Sequence, residues 1–354
     1  MTKARLRPVR VGLLGLGRAG FGMHSAEIMG ASKQFTLSAG CDPYAPWRKR
    51  FAKTYSGCAV YARMEELFAD PNVDLISIAT VSADHYAHAI AALKSGKDVL
   101  LEKPMTVTYA EAKRLKTDAA AAQGRLFIRQ NRRFELGFQH VREIIASGIL
   151  GEVYDIRLAR TSYQRRDDWQ TLERFGGGQL RNWGPHLIDH ALQFLGAPQR
   201  PIKSTWCSLK KIVAAGDAED YLNVALTGAN DCVVHITISG GSALNLPVYY
   251  VAGTRGALTC DDATITLRHL DPRRIPRARK PIVKTPRLHT ATPEELPWVE
   301  KTIPVAPQKP LDFWDELYKA LRLGKAFPVT IDEAIEVMRI ISLLKRNPVR
   351  AYKL

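Results

Sequence analysis

Residues 9–20 read "VRVGLLGLGRAG". A short apolar run leads straight into Gly15-Leu16-Gly17-Arg18-Ala19-Gly20. The run reads as a buried strand, and the glycines as the tight turn after it. A helical pattern around "HSAEIMG" follows, then "FTLSAGCD" (35–42), a second strand ending in Asp42. Strand, G-x-G-x-x-G, helix and a strand ending in an acid make up a dinucleotide-binding arrangement. The glycines let backbone N–H groups approach a pyrophosphate, and the helix start favours its negative charge. Asp42 is placed to accept hydrogen bonds from an adenosine ribose, and its charge repels a 2′-phosphate. NAD is therefore expected over NADP, with Arg48 the nearby residue that argues the other way.

The alternation continues. "VDLISIAT" (73–80) reads as a strand, "HYAHAIAALKSG" (85–96) as a helix, and "DVLLEKP", ending at Pro104, as a strand. Thr108 and Glu111 form a capping box that opens another helix, and "RLFIRQ" is a last strand. Strands alternating with helices imply a parallel sheet covered on both faces. Ligands of such sheets bind beyond the carboxyl ends of the strands. That rule sets Gly15–Gly20, Asp42, Thr80 and Glu102-Lys103-Pro104 along one rim. Proline stops the strand and keeps its predecessor extended. Lys103 is then held where the ring of a bound dinucleotide ends. A lysine there binds a substrate oxygen or, with a lowered pKa, moves a proton. An ordinary solvated lysine at a strand end is the competing reading.

At 354 residues the chain suits two domains, expected at 1–130 and 131–354. A 46% hydrophobic and 24% charged composition is that of a globular protein. No apolar stretch reaches the ~18 residues that span a bilayer, so no membrane association is expected. The apolar N-terminal run carries three glycines, runs into Arg18 and lacks a small-residue cleavage site, so it is not read as a signal peptide. Five scattered cysteines without C-x-x-C spacing point to reduced core residues, hence the cytoplasm, and no metal site is expected. The net charge is +16, and residues 268–290 hold eight Lys or Arg against one acid, Asp271. That stretch has no aromatic residue and no nucleic-acid reader motif. It is read as a solvated or subunit-crossing arm, with no specific nucleic-acid partner.

Several blocks match a known pattern: "GLGRAGFGMH", "ATVSADHYAHAIAALKSGKDVLLEKP", "NRRF", "GILGEV", "GGGQLRNWGPHLIDHALQFLG", "GTRGAL" and "PVTIDEAIEVMRII". Over nearly all its length the chain resembles the glucose–fructose oxidoreductase/inositol dehydrogenase (Gfo/Idh/MocA) family. The resemblance implies a Rossmann domain followed by an α+β domain with an open, mostly antiparallel sheet. It implies a nicotinamide cofactor, sugar, cyclitol or related substrates, and homodimers or homotetramers formed through the open sheet face. It assigns Lys103 to the reacting oxygen, His85 to the start of the helix after the fourth strand, and His186 to catalysis. Gly15, Gly17, Arg18, Ala19, Gly20, Asp42, Thr80, His85, Glu102 and Lys103 become the cofactor-binding set. The chain departs from the family at Asn182, where many members carry Asp, and at Val81-Ser82, where Pro-Asn is common.

"RNWGPHLID" (181–189) focuses the chemistry. Pro185 suits the first turn of a helix, so a helix is expected from 182–185 to Gly196. The helix start favours neutral imidazole at His186, the form a base needs, against the competing reading of a satisfied half-buried helix residue. Asn182 holds or orients but takes no proton. Gly176-Gly177-Gly178 just before allow close approach to a ligand. Asp189 and His190 continue the helix, with Asp189 orienting a neighbour. "TSYQRRDDWQ" (161–170) mixes hydroxyl, guanidinium, carboxylate and indole groups as sugar sites do, so Tyr163, Arg166, Asp168 and Trp169 join Asn182 and His186 as substrate-binding candidates, with a solvated loop as the competing reading. Period-two runs at 153–161, 221–228 and 232–240 are strands of the second sheet, and 330–346 is a helix capped by Thr330 and Glu333. Within 232–240, His235 lies on the mixed-polarity face and is read as structural.

The leading expectation is an NAD(P)-dependent dehydrogenase of a secondary hydroxyl. In it His186 handles the proton, Lys103 steadies the oxygen and Asn182 positions one or both. A redox-neutral NAD enzyme that modifies sugars, and a non-catalytic dinucleotide or sugar sensor, are the alternatives.

Overall fold

A computed structural model describes residues 7–280 and 294–352. Six parallel strands form the first sheet: β1 (Val9–Leu14), β2 (Phe35–Cys41), β3 (Ala59–Tyr61), β4 (Leu75–Ile78), β5 (Asp98–Glu102) and β6 (Leu126–Arg129). Their order is β3-β2-β1-β4-β5-β6. The chain reverses direction across the sheet between β1 and β4, the switch point where α/β sheets open a crevice. Alternate residues of each strand serve opposite faces. Leu75 and Leu100 join one core, while Ile76 and Val99 join the other. Both faces being buried explains why these strands read as unbroken apolar runs.

Five helices cross between these strands: α1 (Ser25–Gly30), α2 (Ala45–Thr54), α3 (Met64–Ala69), α4 (His85–Lys94) and α5 (Tyr109–Ala120). A π-helical turn, Gly20–His24, links the glycine turn to α1. The box expected at α5 is present: Thr108 Oγ1 accepts from the Glu111 N–H, and Glu111 accepts from the Thr108 N–H at 3.0 Å. After β6 come α6 (Leu136–Ala146) and β7 (Val153–Thr161).

Among the described residues the second sheet has nine strands. Besides β7 it holds β8 (Ser204–Lys211), β9 (Tyr221–Thr227), β10 (Val233–Ser239), β11 (Tyr249–Gly253), β12 (Gly256–Cys260), β13 (Thr264–Leu270), β14 (Trp298–Pro304) and β15 (Val349–Ala351). The order is β14-β13-β12-β11-β7-β10-β9-β8-β15. Pairings are antiparallel except β7 with β10 and β8 with β15. Along β10, Val234, Ile236 and Ile238 are buried, whereas Val233, His235 and Thr237 are half-exposed. His235 on that open face stands 3.8 Å from Asp155.

Four helices complete the fold: α7 (Gln179–Asn182), α8 (Gly184–Leu195), α9 (Phe313–Leu323) and α10 (Ile331–Leu344). The buried helix α8 packs on β7 and β10, with α10 beside it. It stops at Gly196, whose φ of 74° is a left-handed cap. Helix α9 returns to the first sheet, where Phe313, Trp314 and Leu317 pack with Val9, Val11 and Phe35. Burying side chains of that size contributes roughly 1.5–3 kcal/mol each. Among the described residues no helix is long and apolar enough to cross a membrane. Arg268 pairs with Glu300 at 3.8 Å, and Arg273 with Asp271 at 3.2 Å. Residues 281–290 of the basic segment lie outside the described residues.

Candidate active site

A cavity of about 260 Å³ opens at the carboxyl ends of the first sheet's strands, and the residues between β7 and α8 form its other wall. Arg18, Ala19, Thr80, His85, Glu102, Lys103, Arg166, Trp169, Asn182 and His186 all line it. One rim thus gathers most of the residues that the sequence singles out.

The glycine turn fits a dinucleotide. Gly15 has φ +94°, and a Cβ there would stand 2.7 Å from the Ala79 carbonyl oxygen. A Cβ at Gly20 would stand 1.9 Å from the Gly15 oxygen. These two glycines make the turn itself. Gly17 differs, because a Cβ there meets nothing within 4 Å. That open space leaves room for a pyrophosphate, to which Gly17, Arg18 and Ala19 could offer backbone N–H groups. Asp42 accepts from the Leu16 N–H and the Tyr44 N–H, each at 2.8 Å, and stands at the end of β2 with spare lone pairs for a ribose. Arg48 is committed nearby, its Nη1 donating to the Asp42 and Pro43 carbonyls at 2.7 Å.

Lys103 leaves β5 at the cavity floor. Its Nζ donates to the main-chain oxygen of Asn182 at 3.0 Å. Burial, with Arg132, Arg129 and Arg18 nearby, pushes its pKa down to about 8 against the pull of Glu102. Asn182 therefore positions Lys103 through its backbone, while its side-chain oxygen accepts from Gln170 Nε2 at 3.4 Å. The Asn182 side chain has no hydrogen bond to His186.

His186 is 5% exposed, and its Nδ1 is buried without a hydrogen-bond partner. Trp183 meets the ring edge-on, with centroids 5.8 Å apart. Burial comes first among the causes that hold the imidazole neutral, and Lys103 and Arg132 add to it. The helix start predicted the same direction, but desolvation and neighbouring cations are the larger causes.

Other expected residues take different places. His85 donates from Nδ1 to the Pro104 oxygen at 2.7 Å and so ties the end of β5 to α4. Tyr163 is 53% exposed and pairs by backbone with Gly241, outside the cavity lining. Asp168 also lies outside the lining. Its carboxylate accepts from the Gln170 N–H at 3.0 Å and pairs with Arg166. Of the three glycines only Gly176 lines the cavity. A Cβ on Gly178 would stand 2.4 Å from Glu219 Oε1, so Gly178 packs against protein and not against a ligand. Asp189 does orient a neighbour, accepting from Arg133 at 2.6 and 2.7 Å. His190 donates from Nε2 to the Arg132 oxygen at 3.0 Å and stacks on Phe138.

Sequence reasoning missed the network beneath Lys103. Glu102 Oε1 accepts from Arg129 at 2.6 Å and from His24 Nε2 at 2.9 Å, and Oε2 accepts from the Lys103 N–H at 2.9 Å. Ser77 hydrogen-bonds to the other His24 nitrogen at 2.8 Å. Arg129 also grips Glu27, which accepts from Trp314 Nε1 at 3.0 Å. Arg129 holds the Glu102 carboxyl well below the usual carboxylate range. Glu102, which also lines the cavity, thus anchors the backbone of Lys103. Trp183, Arg132, Arg181 and Gln164 also line the cavity without a signal of their own in the sequence. Among the described residues no three His, Cys, Asp or Glu side chains gather in a way that could hold a metal ion.

Comparison with known proteins decides the family. An oxidoreductase family model with an NAD-binding Rossmann fold matches residues 9–130, and the GFO/IDH/MocA C-terminal domain matches 138–259. The chain belongs to the Gfo/Idh/MocA family. An oxidoreductase of Schizosaccharomyces pombe is 34% identical over 202 residues, spanning 54% of this chain and about half, 53%, of that protein. The scyllo-inositol 2-dehydrogenase (NADP(+)) of Bacillus subtilis is 26% identical over 96% of this chain and 93% of its own. The WlbA dehydrogenase of Bordetella pertussis, solved with NADH and UDP-GlcNAcA, shares the fold at TM-score 0.76 and 20% identity, with 96% of each chain covered. As a Gfo/Idh/MocA protein the chain is an oxidoreductase with a Rossmann fold for NAD(P).

Proposed function

We propose that this protein is an NAD-dependent dehydrogenase acting on a secondary hydroxyl, or the corresponding ketone, of a sugar, cyclitol or sugar derivative. One observation carries the reading. Lys103 and His186 line a single cavity at the strand ends, and the open glycine turn lies on the same rim. The B. subtilis relative named as an inositol dehydrogenase supports the substrate class. Asp42 at the ribose position supports NAD over NADP.

Bound nicotinamide supplies the hydride acceptor at C4. The protein supplies the proton chemistry. A general base works best with a pKa near the operating pH. Lys103, at about 8, meets that condition, whereas burial, with Lys103 and Arg132 nearby, lowers the pKa of the His186 imidazole. We therefore assign the proton to Lys103 and the steadying of the oxygen to His186, the reverse of the sequence expectation. Lys103 takes the hydroxyl proton in oxidation and returns it in reduction. His186, neutral, donates its ring N–H to the same oxygen and fixes it beside Lys103. Asn182, through its carbonyl, aims the amine. We also propose a homodimer or homotetramer formed through the half-exposed sheet face. Cytoplasmic location is supported by five free cysteines, four of them buried.

The test is a screen for cofactor reduction, NAD beside NADP, across sugars, cyclitols, aminosugars and sugar acids. NADH formation with at least one carbohydrate-like alcohol is expected. Absence of turnover with all of them overturns the reading.

A further inference from the structure

The cavity wall is electropositive. It carries Arg18, Lys103, Arg129, Arg132, Arg166 and Arg181, and Glu102 is the carboxylate among its lining residues. Glu102 is already taken by Arg129 and His24. Behind the wall, Glu27 answers Arg129, Glu135 answers Arg132, and Glu173 answers Arg181 at 2.9 Å.

Two guanidinium groups stand differently. Arg18 comes from the glycine turn, and its Nη2 reaches a neutral amide oxygen, Gln170 Oε1, at 3.5 Å. Arg166 comes from the opposite wall and donates from Nη2 to the same oxygen. Its carboxylate partner, Asp168, has a side chain 48% exposed, so water screens that charge. Two cations from the two halves of the chain therefore converge on a neutral group. Like charges so placed repel, and Asp168 pairs with Arg166 alone, so among the described residues Arg18 has no carboxylate beside it. Guanidinium forks match carboxylate and phosphate oxygens.

The meeting point lies beside the reaction centre. Gln170 Nε2 donates to Asn182 Oδ1 at 3.4 Å, and the Asn182 carbonyl holds Lys103 Nζ at 3.0 Å. An anion held at Arg166 and Arg18 is thus one side chain removed from the residue that positions the base. Trp169 supplies apolar surface on the same cavity, suited to the C–H face of a ring.

We propose that the substrate carries an anionic group, a carboxylate or a phosphate, next to the hydroxyl that is oxidised, and that Arg166 with Arg18 grips it. The proposal rests on the dehydrogenase reading above and narrows its substrate class. Neutral sugars of the same ring then lack the group that joins the two guanidiniums.

The experiment uses the full chain with saturating NAD. Initial rates of NAD reduction are compared for hexuronates and aldonates, for hexose phosphates, and for the parent neutral hexoses and cyclitols. The proposal expects one anionic class to exceed its neutral parent in kcat/KM by about ten- to a hundredfold, the range of a charge-assisted hydrogen-bonded pair. The favoured arm identifies carboxylate or phosphate. Arg166→Gln should lower the anionic-to-neutral ratio about tenfold, with Arg166→Lys recovering part of it. NAD affinity is titrated by fluorescence in each variant. Equal or better turnover of neutral sugars overturns the anion proposal and leaves the dehydrogenase reading standing. Weakened NAD binding in Arg166→Gln with an unchanged ratio also overturns it, because Arg166 then serves the cofactor's own phosphates. No turnover with any class overturns the dehydrogenase reading itself.

Discussion

Replacing Lys103 by Met should make the protein more stable while removing most of its activity. Burial and three arginines carry the Lys103 pKa from 10.5 down to about 8. Its folded form therefore binds fewer protons than the unfolded chain between those values, so the folded state carries an unfavourable charge. The penalty is fully present below about pH 8, fades as pH rises, and is gone above 10.5. At 1.36 kcal/mol per pKa unit it amounts to about 3 kcal/mol. Met keeps nearly the same length and removes the charge, but it strands the Asn182 carbonyl that Lys103 satisfies. That loss costs about 1 kcal/mol. A net gain of about 2 kcal/mol is expected at pH 7. Urea unfolding of both proteins at pH 7, 8, 9 and 10 measures it, and the advantage should shrink as pH rises. Equal or lower stability of Lys103→Met at pH 7 would refute the electrostatic reasoning. Turnover should fall about 10²–10⁴-fold in the same variant.

Other substitutions separate the remaining roles. Gly17→Ala should fold normally, since its Cβ meets nothing within 4 Å, yet lose NAD affinity in a fluorescence titration. Gly20→Ala should instead lower stability in the same urea assay, because its Cβ would press on the Gly15 oxygen at 1.9 Å. His186→Ala should cost about 10²-fold in kcat/KM through a misplaced substrate oxygen, with NAD affinity kept. Asn182→Ala should be milder, because the Lys103 contact runs through its main chain. Titration of the parent should show NAD binding more tightly than NADP, and Asp42→Ala should narrow the difference.

Much of this was readable in the chain because local chemistry and burial agreed. Leu75–Ile78 and Asp98–Glu102 are buried on both faces, so their apolar runs had no competing explanation. Pro185 and Gly196 bracket α8 by backbone restraint alone. Strand β14 was not readable, because it is mostly exposed and its Glu and Lys break the period-two pattern. Helix α9 is amphipathic, but nothing local says that Phe313 and Trp314 return to the first sheet. The network beneath Lys103 joins His24, Glu102 and Arg129 across 27 to 78 residues, and each alone reads as an ordinary polar residue. One clue was available. β5 and β6 are parallel neighbours, and their register sets Glu102 opposite Arg129. The lowering of the His186 imidazole pKa depends on burial, on Lys103 and on Arg132, whose approach no spacing rule reveals.

The pH dependence of kcat/KM for NAD-dependent oxidation tests the central claim most directly, since it reports the free enzyme's essential base. Burial, helped by Arg132, Arg129 and Arg18 and opposed by Glu102, holds Lys103 at about 8. With Lys103 as the base, kcat/KM for oxidation should rise with pH through a single midpoint near 8 and then level off. Reduction of the ketone should fall through the same midpoint, because it needs the protonated amine. A midpoint at or below the ordinary histidine value of about 6.5, retained in Lys103→Met, would contradict the assignment and return the proton to His186.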